Sequence, residues 1–221
     1  MLCSCCVAPV FSGVYERSSR LGPSLALMLA APSLNPAALI LTFMLFDQRI
    51  ALTRFAAASV LVFFTGFLAD KLFNPTQVNL PERQQESTGQ VLSLFLGSCL
   101  QMAIRTLPLI AIGVFVSMAV ALWLPVDVFS SPSSQPLAVI AVALVAVPLA
   151  MPTFFEIPLA LVLLSAGAPA GAVMAMLVAG PAINLPSLLT IARSTNSRVA
   201  ASVALAVFTL AVTAGLLVSV V

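Results

Sequence analysis

A chain of 221 residues that is 61% hydrophobic and 7% charged, with a mean hydropathy of +1.15, has too few charges to coat a water-facing surface, which excludes an ordinary soluble domain. Its formal net charge of +2, with no basic patch interleaved with aromatics, sets aside a nucleic-acid partner. The lipid bilayer is the expected partner, and continuous apolar runs favour helices over a barrel, whose strands would show short alternating segments.

The chain starts MLCSCCVAPVF, with Cys3, Cys5 and Cys6 inside four positions just ahead of an apolar run. No basic segment precedes that run and no small-residue cleavage pattern follows it, so no cleavable signal peptide is read there. Apolar runs over residues 21–46, 50–69, 106–124 and 199–221 each approach the roughly 20 helical residues needed to cross a ~30 Å hydrocarbon core. Residues 70–90 hold five of the sixteen charges and two prolines, and read as a polar solvent loop. Over 90–105, Gln90, Ser93, Ser98, Gln101 and Arg105 alternate at helical spacing with Leu92, Phe95, Leu96, Leu100 and Ala103. That pattern fits an amphipathic interfacial helix or the wet end of a tilted one. Residues 136–192 carry a single charge, Glu156, and are long enough to enter the bilayer more than once. Tyr15 and Trp123 lie near span ends, where amphipathic rings act as interfacial anchors.

Sliding the sequence on itself by 149 positions, without a gap, aligns Pro9 with Pro158, Gly22 with Gly171, Pro32 with Pro181, Asn35 with Asn184, Arg49 with Arg198 and Gly66 with Gly215. Coincidences of Pro, Gly, Asn and Arg are informative in a composition so rich in Ala and Leu. They predict an all-α polytopic membrane protein of two related halves: a first repeat over 1–69, the polar loop over 70–90, and a second repeat over 91–221. The spans at 106–124 and near 136–150 have no counterpart ahead of the first copy. The first half is therefore expected to be truncated at its N-terminus, or completed by a partner chain or a second copy.

The shared core reads AAPSLNPAAL at 30–39 and AGPAINLPSL at 179–188. Proline removes a backbone donor and disfavours helix just before it, so each copy predicts a broken helix. Matched broken helices point to a solute site near the bilayer midplane, which nominates Pro32, Asn35, Pro181 and Asn184 as substrate-binding residues. Glu156 stands alone in its apolar stretch. A carboxylate at that depth costs about 2.5–3.5 kcal/mol on insertion scales, which nominates it for proton coupling.

Cys-x-Cys-Cys is too tight for a zinc pattern, and the chain has no histidine. Closely spaced thiolates suit a soft ion such as Cu(I) or a trivalent metalloid, so Cys3, Cys5 and Cys6 are candidate ligands. Cys99 is read as inert. No bound cofactor is expected, and no phosphate-cradling Gly-x-x-x-x-Gly-Lys loop is present to hold ATP.

The stretches CSCCVAP, LGPSLALMLAAPSLNP and EIPLALVLLSAGAPAGAVMAMLVAGPAINLPSLL resemble the bacterial predicted-permease family that includes organoarsenical efflux permeases, over 3–68 and 106–217. The resemblance implies an inner-membrane permease of two related halves exporting a small, thiophilic solute. It carries over to Cys3, Cys5, Pro32, Asn35, Pro181 and Asn184, while Cys6 and the absent first helices depart from the family pattern.

The reading is thus a secondary-active exporter. The competing class, a membrane thiol-disulfide oxidoreductase built on the cysteine cluster, needs a second reactive cysteine pair, which Cys99 alone does not supply. For orientation, Asp127 places loop 125–135 outside, whereas loops bearing Arg49/Arg54 and Arg193/Arg198 favour the inside. The matched basic loops favour parallel halves over inverted ones.

Overall fold

The computed structural model describes residues 4–72, 104, 135–149, 155–165 and 167–220. Among them there is helix and no strand: α1 Ser4–Ser18, α2 Leu21–Ser33, α3 Pro36–Leu45, α4 Gln48–Leu72, α5 Gln135–Ala146, α6 Glu156–Ser165, α7 Ala170–Ala182, α8 Leu185–Ser194 and α9 Ser197–Val220. In hydrocarbon every backbone polar group must pair within its own segment, so these Ala-, Leu- and Val-rich runs close their bonds as helices. The chain is an all-α polytopic membrane protein. Among the described residues, α4 and α9 are each long and apolar enough to span. The pairs α2–α3 and α7–α8 each qualify as one bent span, with bends of 40° and 44°. The expected span at 106–124, the amphipathic segment 90–105 apart from Ile104, Trp123 and Cys99 lie outside the described residues.

The bounds of α2 and α3 and the start of α4 map onto those of α7, α8 and α9 under the same offset of 149 positions, and the ends of α4 and α9 agree to within one residue. Each set is a helix, a break, a short helix and a long return helix. The return helix packs on the first one through glycine: a Cβ on Gly22 would run into the Gly66 carbonyl oxygen, and one on Gly171 into that of Gly215. Such close backbone approach is how membrane helices gain dispersion contact where lipid offers no hydrophobic drive.

At the centre lies α7. Gly171 through Gly180 and Ala182 are all buried, and the helix touches α2, α4, α5, α6 and α9. A helix apolar all round is one enclosed by neighbours. On the outside, α4 turns Phe55, Phe63, Phe64 and Phe67 outward, and α9 does so with Leu205 and Leu217, as a lipid-facing surface requires.

Three expectations are corrected. The polar segment begins later than residue 70, because α4 runs on to Leu72: Asp70 Oδ1 accepts the Gly22 backbone N–H at 2.7 Å, capping the exposed donors at the start of α2. Tyr15 is no lipid-interface anchor, since it is buried and stacked on Phe11, with ring centroids 6.0 Å apart. The corresponding return helices α4 and α9 run antiparallel rather than parallel. Thr65, Leu68 and Ala69 from the last turns of α4 share one groove with Val199, Ser202 and Val203 from the first turns of α9. Two parallel spans roughly 36 Å long would hold those ends a membrane's width apart.

Candidate functional site

Each break is set by an asparagine and the proline that follows it. Asn35 has φ −60° and ψ 120°, the extended geometry a residue before proline favours, and Pro36 opens α3. The Asn35 Oδ1 accepts the Ala37 N–H at 3.0 Å. Asn184, likewise extended, precedes Leu185 and Pro186 at the start of α8. Its Oδ1 accepts the Ser187 N–H at 3.0 Å and the Ser187 hydroxyl at 2.5 Å. Both asparagines are thus N-caps of a second half-helix, where a side-chain oxygen satisfies an orphan donor. They differ in burial: Asn184 is fully buried and Asn35 half-buried.

Pro32 and Pro181 lie inside the last turns of α2 and α7, and the break falls at the asparagine end of each Pro-x-x-Asn stretch. Their part is to remove the N–H that would close on the carbonyl of Met28 or Leu177. The residues that fix the break, Pro36 and Pro186, went unremarked in the sequence although they stand in the same motif.

Glu156 opens α6 and is buried at 2% exposure, with its Oε1 3.2 Å from Nη2 of Arg54, itself 1% exposed. Nη1 of Arg54 donates to the Thr42 hydroxyl at 2.5 Å, and that hydroxyl donates to the Ala38 carbonyl at 2.7 Å. Arg54 Nε has no partner, nor does the buried Ser33 Oγ at the end of α2. One ion pair therefore joins α4, which leans on the α2–α3 break, to α6, the helix that leads into α7. Arg54 is not the loop residue expected. It lies two turns inside α4, within the apolar run 50–69. The signal was available, since an ionisable residue within a span is a functional candidate by default, but its proximity to Arg49 disguised it.

Of the cysteines, Cys5 and Cys6 fall in the first turn of α1 and Cys3 lies outside the described residues. No group of three or more His, Cys, Asp or Glu side chains able to hold a metal occurs among the described residues. The structure brings Glu156 together with Arg54, and each asparagine with its own half-helix.

A model of the family described as predicted permease matches residues 1–220. The chain belongs to this predicted-permease family. It is also 27% identical over 201 residues to the UPF0718 protein YraQ of Escherichia coli (strain K12), an alignment covering 88% of this chain and 57% of that protein. The chain thus spans little more than half the length of that curated relative. No solved structure matches it. The chain joins broken helices, whose ends place polar backbone inside an apolar body, to a buried acid–base pair within a few turns of one break.

Proposed function

We propose that the protein is a secondary-active permease of the bacterial inner membrane. In this reading it exports a small solute along a path between two duplicated, oppositely oriented halves. The observation that carries the reading is the pair of asparagine-capped helix breaks at one sequence offset, in a chain of a permease family.

Antiparallel α4 and α9 support inverted halves, the arrangement in which rocking one half against the other opens a midplane site to either side. Glu156 is the coupling acid. A proton from one side discharges it and loosens its hold on Arg54, and loss of the proton on the other side restores the pair. Cys3, Cys5 and Cys6 supply soft ligands, which suits a thiophilic cargo such as a trivalent organoarsenical or a soft metal ion.

Everted membrane vesicles test the reading. With an imposed pH gradient, accumulation of trivalent methylarsenical or Cu(I) is expected to follow the gradient in the wild type and to lose its pH dependence in E156Q. The C3S/C5S/C6S variant is expected to lose accumulation of both probes. Gradient-driven accumulation unchanged in E156Q removes the acid from the mechanism, and accumulation unchanged in the triple variant removes the thiols.

A further inference from the structure

Of the two unpartnered buried polar atoms, Arg54 Nε and Ser33 Oγ, the first lies at the ion pair itself. Gly22 packs on Gly66 and Asp70 reaches the start of α2, while Thr42, beyond the break, meets Arg54 near the start of α4. The α2–α3 unit and α4 are therefore antiparallel. Eleven residues on from Gly22 is Ser33; eleven back from Gly66 is Phe55. With equal rise per residue, the Ser33 backbone stands level with that of Phe55, while the Arg54 guanidinium reaches on to Thr42, nine residues further along.

There the protein holds a guanidinium with its Nε unused and the Thr42 hydroxyl already on its Nη1. A guanidinium presents a rigid fork that matches two oxygens of one anion. Here Glu156 engages a single Nη at 3.2 Å, longer than the 2.7–2.9 Å usual for a charged pair. Buried donors left open in a native structure call for an explanation, and an absent ligand is one.

We propose that the Arg54 fork is a binding site for a small oxyanion, which Glu156 occupies with its own carboxylate until a proton neutralises it. The site takes a carboxylate, phosphate or similar oxyanion carried by the solute, seated on the Nε/Nη edge. A proton entering on Glu156 and an anion arriving on Arg54 leave the local charge as it was, so each favours the binding of the other. The helices packed on α6, which are α3 and α7, carry no charged residue, and on α4 Arg49 is exposed. Among the described residues Arg54 is thus the charge that Glu156 faces.

The proposal rests on the permease reading for the solute's passage, but its binding step is measured without transport. Purified full chain in detergent is titrated with formate, acetate and inorganic phosphate, with chloride holding ionic strength constant, while the thermal unfolding midpoint is followed. In the wild type, at least one of the three oxyanions is expected to raise the midpoint saturably, and to bind more tightly in acid than in alkali. E156Q is expected to lose the part of the pH dependence that does not come from the anion's own titration, and R54Q to bind none of the three. R54K, which keeps the charge without the fork, is expected to fall between wild type and R54Q. If E156Q shows no saturable shift with any of the three, or R54Q and R54K match the wild type, the site does not exist. Binding with this pattern in a protein that moves nothing in vesicles sinks the permease reading and leaves the anion site standing.

Discussion

Arg54 and Glu156 are 102 positions apart in the chain, and neither can be spared alone. Removing one partner of a buried pair strands a charge, at a cost of about 3–5 kcal/mol. R54M is therefore expected to lower unfolding stability by that order, measured by denaturant titration in mixed micelles. R54M/E156L is expected to recover much of the loss, because an apolar pair of similar volume no longer strands a charge. Strict additivity of the two single effects shows that the groups do not interact. The caps follow the same logic on a smaller scale. N184A removes an acceptor used by two donors at a fully buried position, and N35A removes one used once at a half-buried position. Cap losses run about 0.5–2 kcal/mol, so N184A belongs at the upper end and N35A at the lower, an order the same titration checks. Glu156 was visible in the sequence because it is the one charge in its stretch. Its partner was not, since pairing depends on α4 and α6 lying side by side, and hydropathy says nothing of which helices meet.

Between elements, glycine decides how closely helices approach. Gly22 and Gly171 have no room for a Cβ, Gly66 meets only the Ala26 Cβ at 3.2 Å and the Gly22 backbone beyond it, and Gly13 has nothing within 4 Å. G22A and G171A are each expected to destabilise by about 1–3 kcal/mol, the usual penalty of overpacking. G13A relieves a helical glycine and is expected to be neutral, or stabilising by up to about 1 kcal/mol. Thermal unfolding of the three variants in one detergent gives the order, and a G171A protein as stable as G13A removes the glycine contact from the packing. Much at this scale was legible: apolar runs marked α4 and α9, and matched Pro, Gly and Asn marked both breaks. Within each Pro-x-x-Asn stretch the helix ends at the asparagine and not at the first proline, because a proline near the end of a membrane helix sits comfortably in its last turn. It is the next proline, Pro36 or Pro186, that bars the helix from running on through the asparagine.

For the whole molecule, the direction of the halves is what sequence conceals and packing reveals. Arg49 and Arg198 occupy matched positions, and equal charge there reads as equal sidedness only if the helices that follow run the same way. The groove that brings the last turns of α4 to the first turns of α9 requires the opposite. The start of α4 and the start of α9 must then emerge on opposite faces of the membrane. In a background with Cys3, Cys5, Cys6 and Cys99 replaced by serine, single cysteines at Asp47 and Asn196, the exposed residues just ahead of each helix, are expected to react with a membrane-impermeant maleimide from opposite sides. One should label in intact spheroplasts and the other only after the membrane is opened. Labelling of both from the same side makes the halves parallel. The Arg54–Glu156 pair would then have to be explained without the exchange of equivalent conformations that inverted halves make available to a carrier.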